Sequence, residues 1–458
     1  MSNEQRIQEL KQKVIKINSI SPSFCSAKWL QTTLYLQNGY NHSCHHPSPH
    51  KIPLEEIRND PAALHNSAYK KSQRLKMLNG ERPSECDYCW NIEDLNKDYF
   101  SDRHYKTADT WSWDRVEEVC KTDPASNINP SYLEVSFSNV CNFKCSYCSP
   151  EISSKWLEEI KQYGPYPTLT GGHSLEWLET IGRYPYKHSD ENPYIDAFWK
   201  YLPSIINSLR VFRITGGEPL LSKDVWKVLE YIKYNPQPEM ELAINTNLCV
   251  DDILIDKFVD TINGLTGSVK RVDVYTSLES TGAQAEYSRY GLDYLQWHKN
   301  IRKILTNTDS KVSIMTTMNV LSLPTTVEFI ADIFELRREF NITAADNRIP
   351  LSINYLRWPS HLSVKVLPLE IRKYYAEDII TNCKNWLKYF NEGQEARLYL
   401  EEWDQIQRFC DYLVKEEQID THDFVAFINE YDKRRGTNFL ETFPEYVVFW
   451  NELHAEAT

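Results

Sequence analysis

The sequence predicts an α/β fold: a barrel of parallel strands alternating with helices, preceded by a cysteine-rich region and followed by a helical tail. Three observations carry this prediction. Six short runs rich in apolar and β-branched residues, at 132–138, 209–215, 240–245, 271–277, 311–318 and 351–356, are mostly separated by helix-like stretches. Polar and thiol-bearing segments directly follow several of these runs, the place where a βα barrel gathers its loops on one face. Finally, seven of the eleven cysteines fall into two ligand-like groups. At 458 residues the chain exceeds what one core usually sustains. Cuts near 125 and 360 give 1–125, 126–360 with an insertion near 152–208, and 361–458.

The amino-terminal group is Cys25, Cys44, Cys86 and Cys89, spaced C-x18-C-x41-C-x2-C. Four thiolates can complete a tetrahedral zinc site or fully ligate an iron-sulfur cubane. The spacing is too spread for a short zinc ribbon, and both metals stay open. His45 and His46 beside Cys44 are further possible ligands, or merely solvated loop residues. Between the cysteines, 53–80 reads as helices ending at Gly80.

The second group follows the first strand directly: Cys141, Cys145 and Cys148, spaced C-x3-C-x2-C with Tyr147 before the last thiol. Three thiolates on one cubane leave the fourth iron for a non-protein ligand. Zinc would need a fourth ligand, and no histidine lies between His104 and His173. The strand at 209–215 runs into Gly216-Gly217-Glu218-Pro219. Two glycines let backbone approach a ligand closely, the proline fixes the exit, and Glu218 offers a carboxylate to an ammonium group.

Together these motifs resemble the signature of the radical S-adenosylmethionine (SAM) enzymes. The resemblance implies a partial (β/α)6 barrel and a 4Fe-4S cluster on Cys141, Cys145 and Cys148. It also implies SAM on the open iron, cleaved by one electron to a 5'-deoxyadenosyl radical that abstracts a substrate hydrogen. Gly216, Gly217 and Glu218 would seat the SAM amino group, and Ser277 and Glu279 after the fourth strand would contact its ribose. Arg289 would pair with its carboxylate, for which a planar fork suits better than lysine. Tyr147 and Asn247 complete the expected SAM-binding set, although asparagines such as Asn245 and Asn247 are also ordinary turn residues. The fifth strand lacks the glycine-containing stretch some relatives place near the adenine, so no adenine contact is assigned. Tyr355 and Arg357 on the last strand could face substrate or simply pack.

The amino-terminal cysteines resemble the auxiliary-cluster regions called SPASM or twitch domains, implying an auxiliary 4Fe-4S cluster. Those regions usually follow the barrel; here the cysteines precede it. In the insertion, 174–181 and 194–209 look helical, whereas Gly171-Gly172 lacks the lysine of a phosphate cradle and reads as a turn. Cys120, Cys249, Cys383 and Cys410 read as structural thiols.

Fifty-one basic against 64 acidic residues, a formal charge of -13, disfavour a general nucleic-acid binder. No apolar run approaches the roughly 18 residues of a membrane helix, and the first residues lack a signal core, which together imply a cytoplasmic setting. Auxiliary-cluster relatives often modify peptides or proteins, so that substrate class leads, with a small metabolite or nucleotide second. The resemblance also implies an electron donor such as flavodoxin or ferredoxin. A non-catalytic metal-binding scaffold is the alternative from another class. A conventional SAM methyltransferase would need a glycine-rich doubly wound site that is not evident.

Overall fold

The computed structural model describes residues 3–95, 99–171, 173–187, 189–341, 343, 346–390 and 397–455. Gly172 of the expected turn lies outside them. Two compact units emerge: the first comprises 1–138, 185–243 and 267–271, the second 139–184, 244–266 and 272–458.

Eleven strands form among the described residues: β1 (Gln31–Tyr35), β2 (Tyr40–His42), β3 (His50–Lys51), β4 (Tyr132–Ser136), β5 (Lys144–Cys145), β6 (Val211–Thr215), β7 (Gln237–Asn245), β8 (Val269–Ser277), β9 (Arg289–Tyr290), β10 (Lys311–Met315) and β11 (Leu351–Ser352). In the first unit β4 runs parallel to β6 on one side and to β1 on the other, with Gln31 opposite Tyr132 and Tyr35 opposite Ser136. β2 and β3 extend this sheet antiparallel beyond β1. On the far side β6 is followed by β7 and then the start of β8, where Gln237 N donates to Ser268 O at 2.6 Å. In the second unit the chain leaving β7 joins the remainder of β8 through Thr246 N to Tyr275 O at 2.8 Å, and β8, β10 and β11 run parallel.

All six expected strands therefore exist, as β4, β6, β7, β8, β10 and β11, in an α/β chain whose sheet is mostly parallel. The last is trimmed to two residues plus a bridge between Met318 and Tyr355. Alternation explains them: Leu133 and Val135 in β4, Phe212 and Ile214 in β6, and Val312 and Ile314 in β10 are fully buried, as period-two apolar positions should be. The intervening helices bury 3.6-period stripes, such as Ile255, Phe258, Val259 and Ile262 on Asp252–Gly264. Asp251 starts that helix, its side chain accepting from Leu254 N at 2.8 Å. In the insertion, helices form at Leu175–Thr180 and Pro193–Ile205.

The strands β1 to β3 are not foreseen by the sequence reading. Gln31, Thr32, Thr33 and Leu34 are all buried, so β1 shows no in-out alternation to read. The region before residue 125 is thus not only a cysteine-bearing appendage; it widens the first unit's sheet. Beside those strands a second core gathers Phe24, Trp29, Leu30, Met77, Trp90 and Trp111 around Cys25, Cys86 and Cys89.

Helices fill the tail at Leu369–Phe390, Leu400–Leu413, His422–Arg435 and Val447–Ala455. They close an exposed edge, because β11 is terminal in its sheet. Leu351 N donates to Glu402 Oε1 at 2.9 Å and Ile353 N to Gln405 Oε1 at 2.7 Å. Glu402 is held by buried Arg337, which also donates to Ile349 O. No helix among the described residues is long and apolar enough to cross a membrane.

Candidate functional site

In the second unit, Cys141, Cys145 and Cys148 sit on one loop whose backbone is braced from several elements. Trp156 Nε1 donates to Cys145 O at 2.8 Å, Ser153 Oγ to Phe143 O at 2.7 Å, and Cys141 N to Ser154 Oγ at 3.2 Å. Cys145 lies on β5, antiparallel to β9 and opposite Arg289, while Ser146 N donates to Ser288 O at 2.7 Å. The three thiols are half-buried, and burial pushes the thiol of Cys148 up to about 12 and that of Cys145 upward, the latter opposed by Arg289. Thiolate ligation there must expel protons.

Two braces lie outside what the sequence pattern reveals. Gly291 has φ +107°, and a Cβ on it would stand 2.8 Å from Asn142 O and 3.2 Å from the Phe143 ring. The chain after β9 therefore runs against the cysteine loop where only glycine fits; a glycine two residues beyond a proposed ligand is the signal that was present. Arg435, from the tail helix His422–Arg435, donates to Lys144 O at 2.8 Å, pairs with Glu159 at 3.2 Å and stacks over Tyr431 at 3.7 Å. Nothing in the sequence links it to a loop nearly three hundred residues earlier.

The residues after the third and fourth strands converge on the same loop. Asn247 Nδ2 donates to Asn142 Oδ1 at 2.7 Å, and Asn142 Nδ2 donates to Cys249 O at 2.8 Å. Ser277 ends β8 opposite Met315. Glu279 is fully buried and accepts from Tyr147 Oη and from Arg289 Nε, both at 3.0 Å. The guanidinium stands 5.5 Å from the Tyr147 ring centroid, and Arg289 Nη1 lies 3.8 Å from Cys145 Sγ. Tyr147, Glu279, Arg289 and Cys145 thus form one constellation around a buried ion pair. The sequence expectation gives the fork of Arg289 to a carboxylate of SAM; the structure gives its Nε and Nη2 to Glu279. Two opposite charges ten residues apart, both excluded from water, satisfy each other.

That pair carries a prediction. Arg289→Met leaves the Glu279 carboxylate buried without its counter-charge, and removing one partner of such a pair costs about 3–5 kcal/mol. The expected result is a marked fall in the urea midpoint, with Arg289→Met/Glu279→Gln recovering much of the loss.

In the first unit Gly216 leaves β6 with φ +141°, and a Cβ would stand 3.1 Å from Ser138 O. Gly217 N donates to that same oxygen at 3.2 Å. Glu218 is buried, and its Oε1 accepts from Leu220 N at 3.0 Å, capping the turn Pro219–Leu221.

The first unit also brings Cys25, Cys44, Cys86 and Cys89 to the lining of one small cavity. Burial pushes Cys25 and Cys86 up to about 12 and Cys89 to about 11. A zinc tetrahedron with Zn–S of about 2.3 Å requires sulfurs ~3.8 Å apart. Among the described residues the only trio of ligand atoms all within 4.8 Å of each other is His45, His46 and Asp102, so no three thiols of either group stand at that spacing. His46 Nε2 lies 2.6 Å from Asp102, and its ring stacks on Tyr88 at 3.7 Å, so its partners are not thiols.

The family model described as the radical SAM superfamily matches residues 135–325. A GTP 3',8-cyclase of Sulfurimonas denitrificans is 21% identical over 268 residues, 58% of this chain and 66% of the relative. Those of Nautilia profundicola and a Picosynechococcus strain are each 29% identical, over 25% and 32% of this chain and 27% and 37% of their own lengths. The chain therefore spans less than two thirds of these relatives. A cysteine triplet after one parallel strand and Gly-Gly-Glu-Pro after the next are independent features, and both lie within residues 135–325, the segment that matches the radical SAM superfamily of enzymes.

Proposed function

We propose that the chain is a radical SAM enzyme acting on a nucleotide or related small metabolite. Cys141, Cys145 and Cys148 would hold a 4Fe-4S cluster, and with SAM bound this supplies a 5'-deoxyadenosyl radical. Gly216 and Gly217 bring backbone to the SAM amino group and Glu218 offers it a carboxylate, with Ser277 as a ribose contact. Because Arg289 and Glu279 are spent on each other, their part is to orient Tyr147 and the Cys145 strand. The amino-terminal cavity would hold the auxiliary cluster. Its electrons would come from a low-potential donor of the flavodoxin or ferredoxin class.

The observation that carries the substrate class is the relatives' name, GTP 3',8-cyclase, shared by matches in several organisms. It favours the nucleotide reading over the peptide or protein substrate that the sequence analysis puts first. The chain's main departure from a simple transfer of that substrate is the cavity before the barrel, so the proposal names a class and no single nucleotide. The test is substrate stimulation: 5'-deoxyadenosine formation from SAM and dithionite should rise several-fold with nucleoside triphosphates and stay basal with a peptide mixture. A rise with peptides alone would reverse the substrate assignment.

A further inference from the structure

The two cysteine groups differ in number, and the difference is chemical. Three thiols at the SAM site leave one iron corner for a ligand; four at the amino-terminal cavity leave none. Several other polar groups on that cavity already have partners. His46 and Asp102 bind each other at 2.6 Å, and Arg103 is spent on Glu93 at 2.6 and 2.8 Å and on Phe24 O at 3.0 Å.

One residue remains to be explained. Lys28 follows Cys25 by three positions, is only 3% exposed, and lines the cavity with the four thiols. Its ammonium pairs with Glu85, whose other oxygen accepts from Tyr69 Oη at 2.9 Å. Glu85 does not line the cavity, and the Lys28 charge acts on the thiols of Cys25 and Cys86, opposing the rise that burial gives them. Burying a lysine is costly unless something anionic receives it. Four thiolates around a four-iron core bear net negative charge, and a buried cation beside them stabilises the more negative, reduced form.

We infer that the amino-terminal cavity takes a cubane closed by Cys25, Cys44, Cys86 and Cys89, that it admits no substrate, and that Lys28 is a positioning residue offsetting its charge. This rests on the iron-sulfur reading above, but its test does not depend on SAM chemistry. The chain carrying Cys141→Ala, Cys145→Ala and Cys148→Ala is reconstituted anaerobically with iron and sulfide. Roughly four irons per chain should remain, and the paramagnetic resonance spectrum of the reduced protein should not change on adding cyanide or GTP. In the same background Lys28→Met/Glu85→Gln should keep its iron and lower the midpoint potential in a redox titration, while Lys28→Arg should restore it. Zinc or no metal in the triple variant, a spectrum that shifts with GTP or cyanide, or a midpoint indifferent to Lys28 would each overturn the inference. A loss of 5'-deoxyadenosine in the wild type would instead strike the proposed function alone.

Discussion

Cys145→Ala is expected to bring 5'-deoxyadenosine formation to background and to remove about four irons per chain. Three thiolates hold a cubane with one open corner, and the fold braces this thiol from several elements. It lies on β5 against β9, with Trp156 on its carbonyl and Arg289 Nη1 3.8 Å from its sulfur. An iron assay and chromatography of the products read both effects on the same sample. Cys120→Ala, on the helix Val116–Lys121 and outside the cavity lining, should change neither reading. If both substitutions lower iron equally, the loss reflects general instability and the assignment of Cys145 fails.

Cys86→Ala/Cys89→Ala should also remove about four irons, yet leave SAM cleavage detectable. The reason is spatial: these thiols belong to the core built by Phe24, Trp29, Met77 and Trp90 in the first unit, whereas the SAM-site thiols belong to the second unit. Each group has its own braces, so emptying one does not dismantle the other. Unchanged iron would sink the auxiliary site, and complete loss of cleavage with the SAM-site cluster still loaded would show that the two sites do not act independently.

The legible parts of this chain were those governed by period and by chemistry. Apolar alternation marked β4, β6 and β10, and thiol number marked both cysteine groups, because ligand count is a property of composition and spacing. Strand β1 was illegible for the opposite reason: Gln31, Thr32 and Thr33 are buried polar residues that imitate a loop. The pairing of Arg289 with Glu279 could not be read, since each residue alone suits a SAM contact and only the fold shows them consuming one another. Arg435 was invisible because it reaches Lys144 O across the sequence, and Gly291 was visible only as a glycine, without the backbone it has to clear.

The central claim is tested most directly by reconstituting the full chain anaerobically with iron and sulfide, adding SAM and dithionite, and quantifying 5'-deoxyadenosine against Cys145→Ala. Product from the wild type and none from the variant is the predicted result. No product from a wild-type chain with both clusters loaded, with or without nucleotide, or zinc where iron is expected, would contradict it.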